Sequence, residues 1–245
     1  MVQVSARPSV RWDPLPADFV LPDEPVDNLL QPALAAALTE ALGANGLIRP
    51  EMLIATNMAL VATVDNQLVV KAPDWFYVPQ VYPLLQGSVR RSYTPYREGV
   101  GVAVVMEFLS DTDGGELSMR STPPLGKLYF YEQILQVPTY VTYDPYSEQL
   151  QVRQLGDDGA YHLQEANPQG RFGVPALNLE LGLWQGERLG LQTTWLRWWN
   201  PSGQMLLWSS EQAEQERQRA EQERQRAERL AAKLRELGLD PNTLG

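Results

Sequence analysis

Two short apolar runs, Val102-Ala-Val-Val-Met106 and Thr139-Tyr-Val-Thr-Tyr143, most constrain what this chain can fold into. Each is too short for a helix and rich in β-branched or aromatic residues, so each reads as a buried strand. Between them lie a loop of Gly, Ser and acidic residues and then Gly126-Lys127-Leu-Tyr-Phe-Tyr-Glu-Gln-Ile-Leu135, which has helical spacing. Strand, loop, helix, strand is a βαβ unit, and it predicts an α/β fold. The first run delivers Glu107 and, three residues later, Ser110. Ligands of open α/β sheets bind beyond the carboxyl ends of the strands, so the site is expected at that edge, together with Pro73-Asp74.

Composition narrows the chemistry. At 245 residues with 44% hydrophobic content, the chain supports one sizeable core plus an appendage. It has no cysteine, which excludes disulfides, thiolate zinc sites and cysteine nucleophiles. His162 is the single histidine, so a His-rich metal site is excluded as well. Any metal must be held by oxygen, which means a hard ion such as Mg²⁺ or Mn²⁺. Met1–Pro8 carries no signal-peptide pattern, and no apolar stretch approaches spanning length, so a cytoplasmic protein away from membranes is expected. The net charge of −10 weighs against broad nucleic-acid affinity.

Residues 7–26 contain five prolines and predict an extended lead-in ahead of the main domain. Asp27 can cap a helix in which Leu30, Leu34, Leu38 and Leu42 form one stripe and Gly43 ends it. Met52–Val64 and Gln67–Ala72, around Asp65-Asn66, predict a hairpin whose second strand runs on to Asp74. Arg90, Arg91, Tyr93, Tyr96 and Arg97 form a basic and aromatic cluster: either a solvated loop or a set of phosphate contacts. Short strands follow, at Leu150–Leu155, Ala160–Gln164, Arg171–Leu177, Glu180–Trp184 and Gln192–Trp199. Trp195, Trp198, Trp199 and Trp208 read as core aromatics.

The main domain is expected to span 27–208 and a helical tail 209–245. In the tail EQERQRA occurs twice in succession, and Ala213, Ala220, Ala227, Leu234 with Glu216, Glu223, Leu230, Leu237 occupy heptad positions. A solvated single helix held by Glu–Arg pairs and a short coiled coil through residues 211–237, joining copies or a partner helix, both fit this pattern.

Two carboxylates at neighbouring strand ends, Asp74 and Glu107, with Lys127 on the next helix, suit metal-dependent phosphodiester hydrolysis. The acids hold the ion, and the lysine orients water or neutralises charge. By spacing alone, the favoured reading is a Glu107 satisfied by the turn and a solvated Lys127.

The ordered set Ala72-Pro73-Asp74-Trp75-Phe76-Tyr77-Val78-Pro79, Val104-Val105-Met106-Glu107-Phe108-Leu109-Ser110, Gly126-Lys127 with Tyr131-Glu132, and Val137-Pro138-Thr139-Tyr140-Val141 with Asp144-Pro145 resembles the Uma2-type endonucleases. These form a branch, abundant in cyanobacteria, of the restriction-endonuclease-like PD-(D/E)xK superfamily. The resemblance covers roughly residues 25–200. It implies a mixed central sheet flanked by helices, here with extra C-terminal strands and a long C-terminal helix. It also implies a Mg²⁺ or Mn²⁺ cofactor and DNA as partner. Its acidic positions fall on Asp74 and Glu107. The superfamily lysine position is Leu109 here, and Lys127 matches the helix lysine of relatives. Ser110 would support Glu107 from the next shell of contacts. For the acid often found on the first helix, this chain offers Asp27 and Gln31. Two rival readings use the same residues differently: a non-catalytic protein assembling through the tail, and a nucleic-acid binder relying on Arg90, Arg91 and Arg97.

Overall fold

The structure is a computed structural model and describes residues 9–13, 29–84, 88–109 and 117–236. It divides into two compact units, Met1–Leu206 and Leu207–Gly245. Along the first run β1 (Val10–Arg11), α1 (Leu30–Ala44), β2 (Leu53–Ala55), β3 (Ala59–Val64), β4 (Gln67–Lys71), β5 (Trp75–Val78), β6 (Ser92–Tyr93) and β7 (Val104–Phe108). Next come α2 (Lys127–Tyr129), a π-helical segment (Phe130–Ile134), β8 (Thr139–Asp144), β9 (Gln149–Leu155) and β10 (Tyr161–Leu163). The unit closes with β11 (Phe172–Val174), β12 (Leu179–Arg188) and β13 (Leu191–Trp199).

The central sheet has the order β10-β9-β8-β7-β5-β2. Its pairs are antiparallel except β7–β8, the parallel pair of the expected βαβ unit. The fold is therefore mixed α/β and consistent with the restriction-endonuclease-like class. One sheet face carries Phe76, Val78, Val105 and Tyr140. These pack with Phe130, Ile134 and Leu135 of the helical crossover and with Leu60 and Ala62 of β3. The opposite face carries Trp75, whose ring lies 6.1 Å from that of Trp198 on β13. Both indoles are tied to α1. Trp75 Nε1 donates to Thr39 Oγ1 at 2.9 Å, and Trp198 Nε1 donates to the Leu38 carbonyl at 3.2 Å. Leu34, Leu38 and Leu42 are all buried there, as the stripe requires. Trp195, Trp198, Trp199 and Trp208 are buried too.

Several local expectations need correction. Helix α1 passes through Gly43 and ends at Ala44 with Asn45 as its cap, while Gly46 takes the left-handed conformation (φ 68°). Its N-cap position is Leu29, and Asp27 lies outside the described residues. The run Met52–Val64 is two strands in two sheets. Asn57 adopts φ 51° and donates its N–H to the Pro73 carbonyl, so the chain turns before β3 begins. The hairpin is β3–β4 alone, across Asp65 and Asn66, both at positive φ as a two-residue primed turn demands. The stretch Gly126–Leu135 is one short α-helical turn that widens into the π-helical segment. Arg171–Leu177 is a three-residue strand followed by a 3₁₀ turn, Pro175–Leu177.

The second unit contains α3 (Ser209–Glu236), which has no buried residue. Pairs such as Glu214–Arg217 and Glu221–Arg224 line it, exposed and screened by solvent. Leu237 lies outside the described residues. Among the described residues no helix is long and apolar enough to cross a membrane.

Candidate active site

The site is built where β5 begins and β7 ends. In their antiparallel register Trp75 faces Met106, so one step on Asp74 stands opposite Glu107. Opposed α-carbons of such a pair lie about 4.5–5.5 Å apart, with their side chains on one face. Pro73 explains why the ladder stops here: it has no N–H, and its carbonyl is taken by Asn57. The Phe108 N–H instead donates to Asp74 Oδ2 at 2.6 Å, which fixes the carboxylate across the strand end. On the other side of β7 the register continues Glu107–Thr142–Gln151 through β8 and β9. Four polar residues thus cross four strands in one row on one sheet face.

Glu107 is buried, at 1% exposure. A carboxylate there needs partners, and the crossover supplies two. Lys127 Nζ lies 3.3 Å from Oε2, and Tyr131 donates its hydroxyl to Oε1 at 2.7 Å. Residues four apart on a helical turn share a face, so both reach the same acid. Gly126 makes this possible: a Cβ there would sit 2.0 Å from the Ser118 carbonyl oxygen, so only glycine allows the turn to start at that depth. Burial pushes the Tyr131 hydroxyl well above the usual tyrosine range, and the nearby charges of Glu107 and Asp74 push it further. Both acids therefore lie in the field of one buried hydroxyl.

Gln31 also belongs here. From the first turn of α1 its Nε2 donates to the Phe108 carbonyl at 2.7 Å, at the end of the strand that carries Glu107. Asp144, two residues beyond Thr142, does not join. Its carboxylate accepts from the Tyr146 and Ser147 N–H groups and the Ser147 hydroxyl, and these bonds hold it below the usual carboxylate range. Among the described residues no third acid or histidine completes a cluster with Asp74 and Glu107.

The sequence now matches a described family, Uma2, "putative restriction endonuclease", over residues 22–194. That span is well over half of the 245 residues. The chain belongs to the Uma2 family. No curated protein matches it significantly. The Uma2 description points to a nuclease-type activity on the restriction-endonuclease-like fold, and such endonucleases generally use divalent metal ions.

The donor set of this Uma2 protein fits such an ion in kind. Asp74 and Glu107 offer only oxygen, and two carboxylates beside one ammonium leave a negative balance that a hard divalent cation would neutralise. Of the remaining residues singled out in the sequence, Ser110 lies outside the described residues. Arg90 is committed elsewhere. Its Nη1 pairs with Glu98 Oε1 at 2.5 Å and its Nη2 bonds the Tyr82 carbonyl, bracing the loop before β7. Arg91 and Arg97 are exposed on that same loop.

Three further polar residues of the Uma2 site face were not singled out in the sequence: Thr142, Gln151 and Arg153. Tyr131 entered only as part of the matched set, with no role given to it, although its four-residue step from Lys127 could have pointed to one. For Arg153 no local signal exists, because only the register brings β9 beside β8.

Proposed function

We propose that this chain is a Mg²⁺- or Mn²⁺-dependent endonuclease that hydrolyses DNA phosphodiester bonds in the cytoplasm. The observation that carries this reading is the opposition of Asp74 and Glu107 across β5 and β7, with Lys127 held against Glu107. Asp74 and Glu107 would hold the ion, which when bound supplies Lewis-acid polarisation of the phosphate and a water of lowered pKa. The chain's own residues do the rest. Phe108's N–H locks Asp74, and Tyr131 locks Glu107, so neither carboxylate must reorganise as charge develops. Lys127 keeps a cation at the same edge, where it orients the attacking water and offsets the added negative charge of the phosphorane. Leu109 occupies the place two residues after the acid where the wider superfamily carries lysine, and Lys127, matching the helix lysine of relatives, would take that role.

Nicking of supercoiled plasmid with Mn²⁺ tests the reading. Wild type is expected to nick, and Asp74→Asn and Lys127→Ala to lose at least about a hundredfold, the usual scale for removing one electrostatic or acid–base group. Wild-type protein that neither nicks nor binds Mn²⁺ by calorimetry would sink it.

A further inference from the structure

The polar row does not end at the two acids. Beyond Glu107 it continues through Thr142 and Gln151, and an arginine is bound to both. Arg153 Nη1 donates to Thr142 Oγ1 at 3.3 Å and its Nη2 donates to Gln151 Oε1 at 2.7 Å. In register Arg153 stands opposite Tyr140. Its guanidinium therefore leans along the strand, away from its own register position and toward the carboxyl ends of β7 and β8, where the acids lie.

What it binds distinguishes it from the other half-buried arginines. Arg90 pairs with Glu98, Arg171 with Glu180 and Arg188 with Glu40. Arg153 has only neutral acceptors among the described residues. Its fork is fixed in direction, and among the described residues no carboxylate pairs with it. An arginine preorganised in this way suits a phosphate, which accepts two parallel N–H bonds from the guanidinium plane. Neighbouring strands are about 4.8 Å apart, so the Thr142 position is one such step from Glu107. That separation keeps Arg153 off the reacting phosphate and beside the next stretch of backbone.

We propose that Arg153, aimed by Thr142 and Gln151, is a phosphate anchor that grips the nucleic-acid backbone beside the scissile phosphate. The proposal rests on the endonuclease reading and adds to it the direction of the bound strand, across β7, β8 and β9. It also shows how a chain of net charge −10 can engage a polyanion: by a local, oriented cation in place of a broad basic surface.

Fluorescence anisotropy of a fluorescein-labelled DNA duplex, in chelator so that no cutting intervenes, tests it. Arg153→Gln is expected to weaken binding roughly tenfold, the scale of one charge-assisted contact. It is also expected to make the slope of log K against log salt shallower by about 0.9, the signature of one lost phosphate neutralisation. Thr142→Val keeps the charge but removes its guide, so affinity should fall while the slope stays. This variant decides the matter if Arg153→Gln proves unstable by thermal unfolding. Wild-type affinity and slope in both variants, alongside normal plasmid nicking, would overturn the anchor and leave the endonuclease reading standing. A wild-type protein that neither binds the duplex nor nicks plasmid would overturn both.

Discussion

Tyr131 shows how much of this site depends on one buried hydroxyl. It touches the Oε1 of a carboxylate that is itself 1% exposed, and its ring packs 5.4 Å from Tyr140 and 5.9 Å from Phe130. Tyr131→Phe keeps the ring and deletes the donor, leaving a buried anion short of a partner. Urea unfolding should register a loss of about 1–3 kcal/mol. Unchanged stability would mean that Lys127 and other contacts satisfy Glu107 without the hydroxyl. Asp74 and Lys127 stand differently in the sequence. Asp74 was legible through its match to the acidic position of relatives, whereas the break that Pro73 puts between β4 and β5 came from the structure. Lys127 was legible through resemblance to relatives, since nothing local distinguishes a site lysine from a solvated one. Tyr131 was legible only as part of the matched set, because its ring reads as core and its hydroxyl meets Glu107 only when the crossover lies over β7.

Among elements, the crossover between β7 and β8 positions the most chemistry with the fewest residues. One α turn and a π-helical segment deliver Lys127, Tyr131 and, through Glu132 Oε1 accepting the Tyr161 N–H at 2.7 Å, a link to β10. Widened turns of this kind cluster at functional sites because they re-aim side chains that a regular helix would spread. The start of the turn is the sensitive point. Gly126→Ala forces a Cβ against the Ser118 carbonyl, which is backbone and cannot swing away. A cost of about 1–3 kcal/mol in unfolding free energy is expected. Plasmid nicking should fall more than stability alone explains, because Lys127 is displaced from Glu107. Nicking at the wild-type rate would show that the turn tolerates the shift. Helical spacing in the sequence correctly marks this stretch as a helix but cannot mark the π segment, which depends on the wall of β3 and the central sheet against which Phe130 and Ile134 pack.

At the scale of the whole molecule, at least five tyrosine hydroxyls are raised above their ordinary value. They include Tyr77, Tyr93, Tyr131, Tyr161 and Tyr143, the last pushed up to about 12 chiefly by burial. The sign of the consequence follows from linkage. Below about pH 10 both folded and unfolded chains keep these protons, and the contribution is fully present. As pH rises further the unfolded chain ionises first and binds fewer protons, so stability falls up to the folded values. Tyr143 places the main loss between about pH 10 and about 12. An alkaline titration following tyrosinate absorbance and far-ultraviolet circular dichroism together should show about half the tyrosines ionising with unfolding. A smooth titration of all ten with structure intact would contradict the burial described here.

The sequence by itself determined the parts that local stereochemistry dictates. These are the βαβ unit from two short apolar runs, the primed turn at Asp65-Asn66, the apolar stripe of α1, and the oxygen-only donor chemistry of a chain without cysteine. Each depends on a few neighbouring residues and their backbone freedom. The tertiary structure alone decided that Met52–Val64 divides between two sheets, that Tyr131 and Lys127 converge on Glu107, and that Gln31 arrives from α1 at the Phe108 carbonyl. It also decided that Thr142, Gln151 and Arg153 continue the row of the acids. Those facts depend on strand register and on which face of the sheet each segment covers. Both are set by packing between residues far apart in the chain, and a local pattern of apolar and polar residues is compatible with many such arrangements.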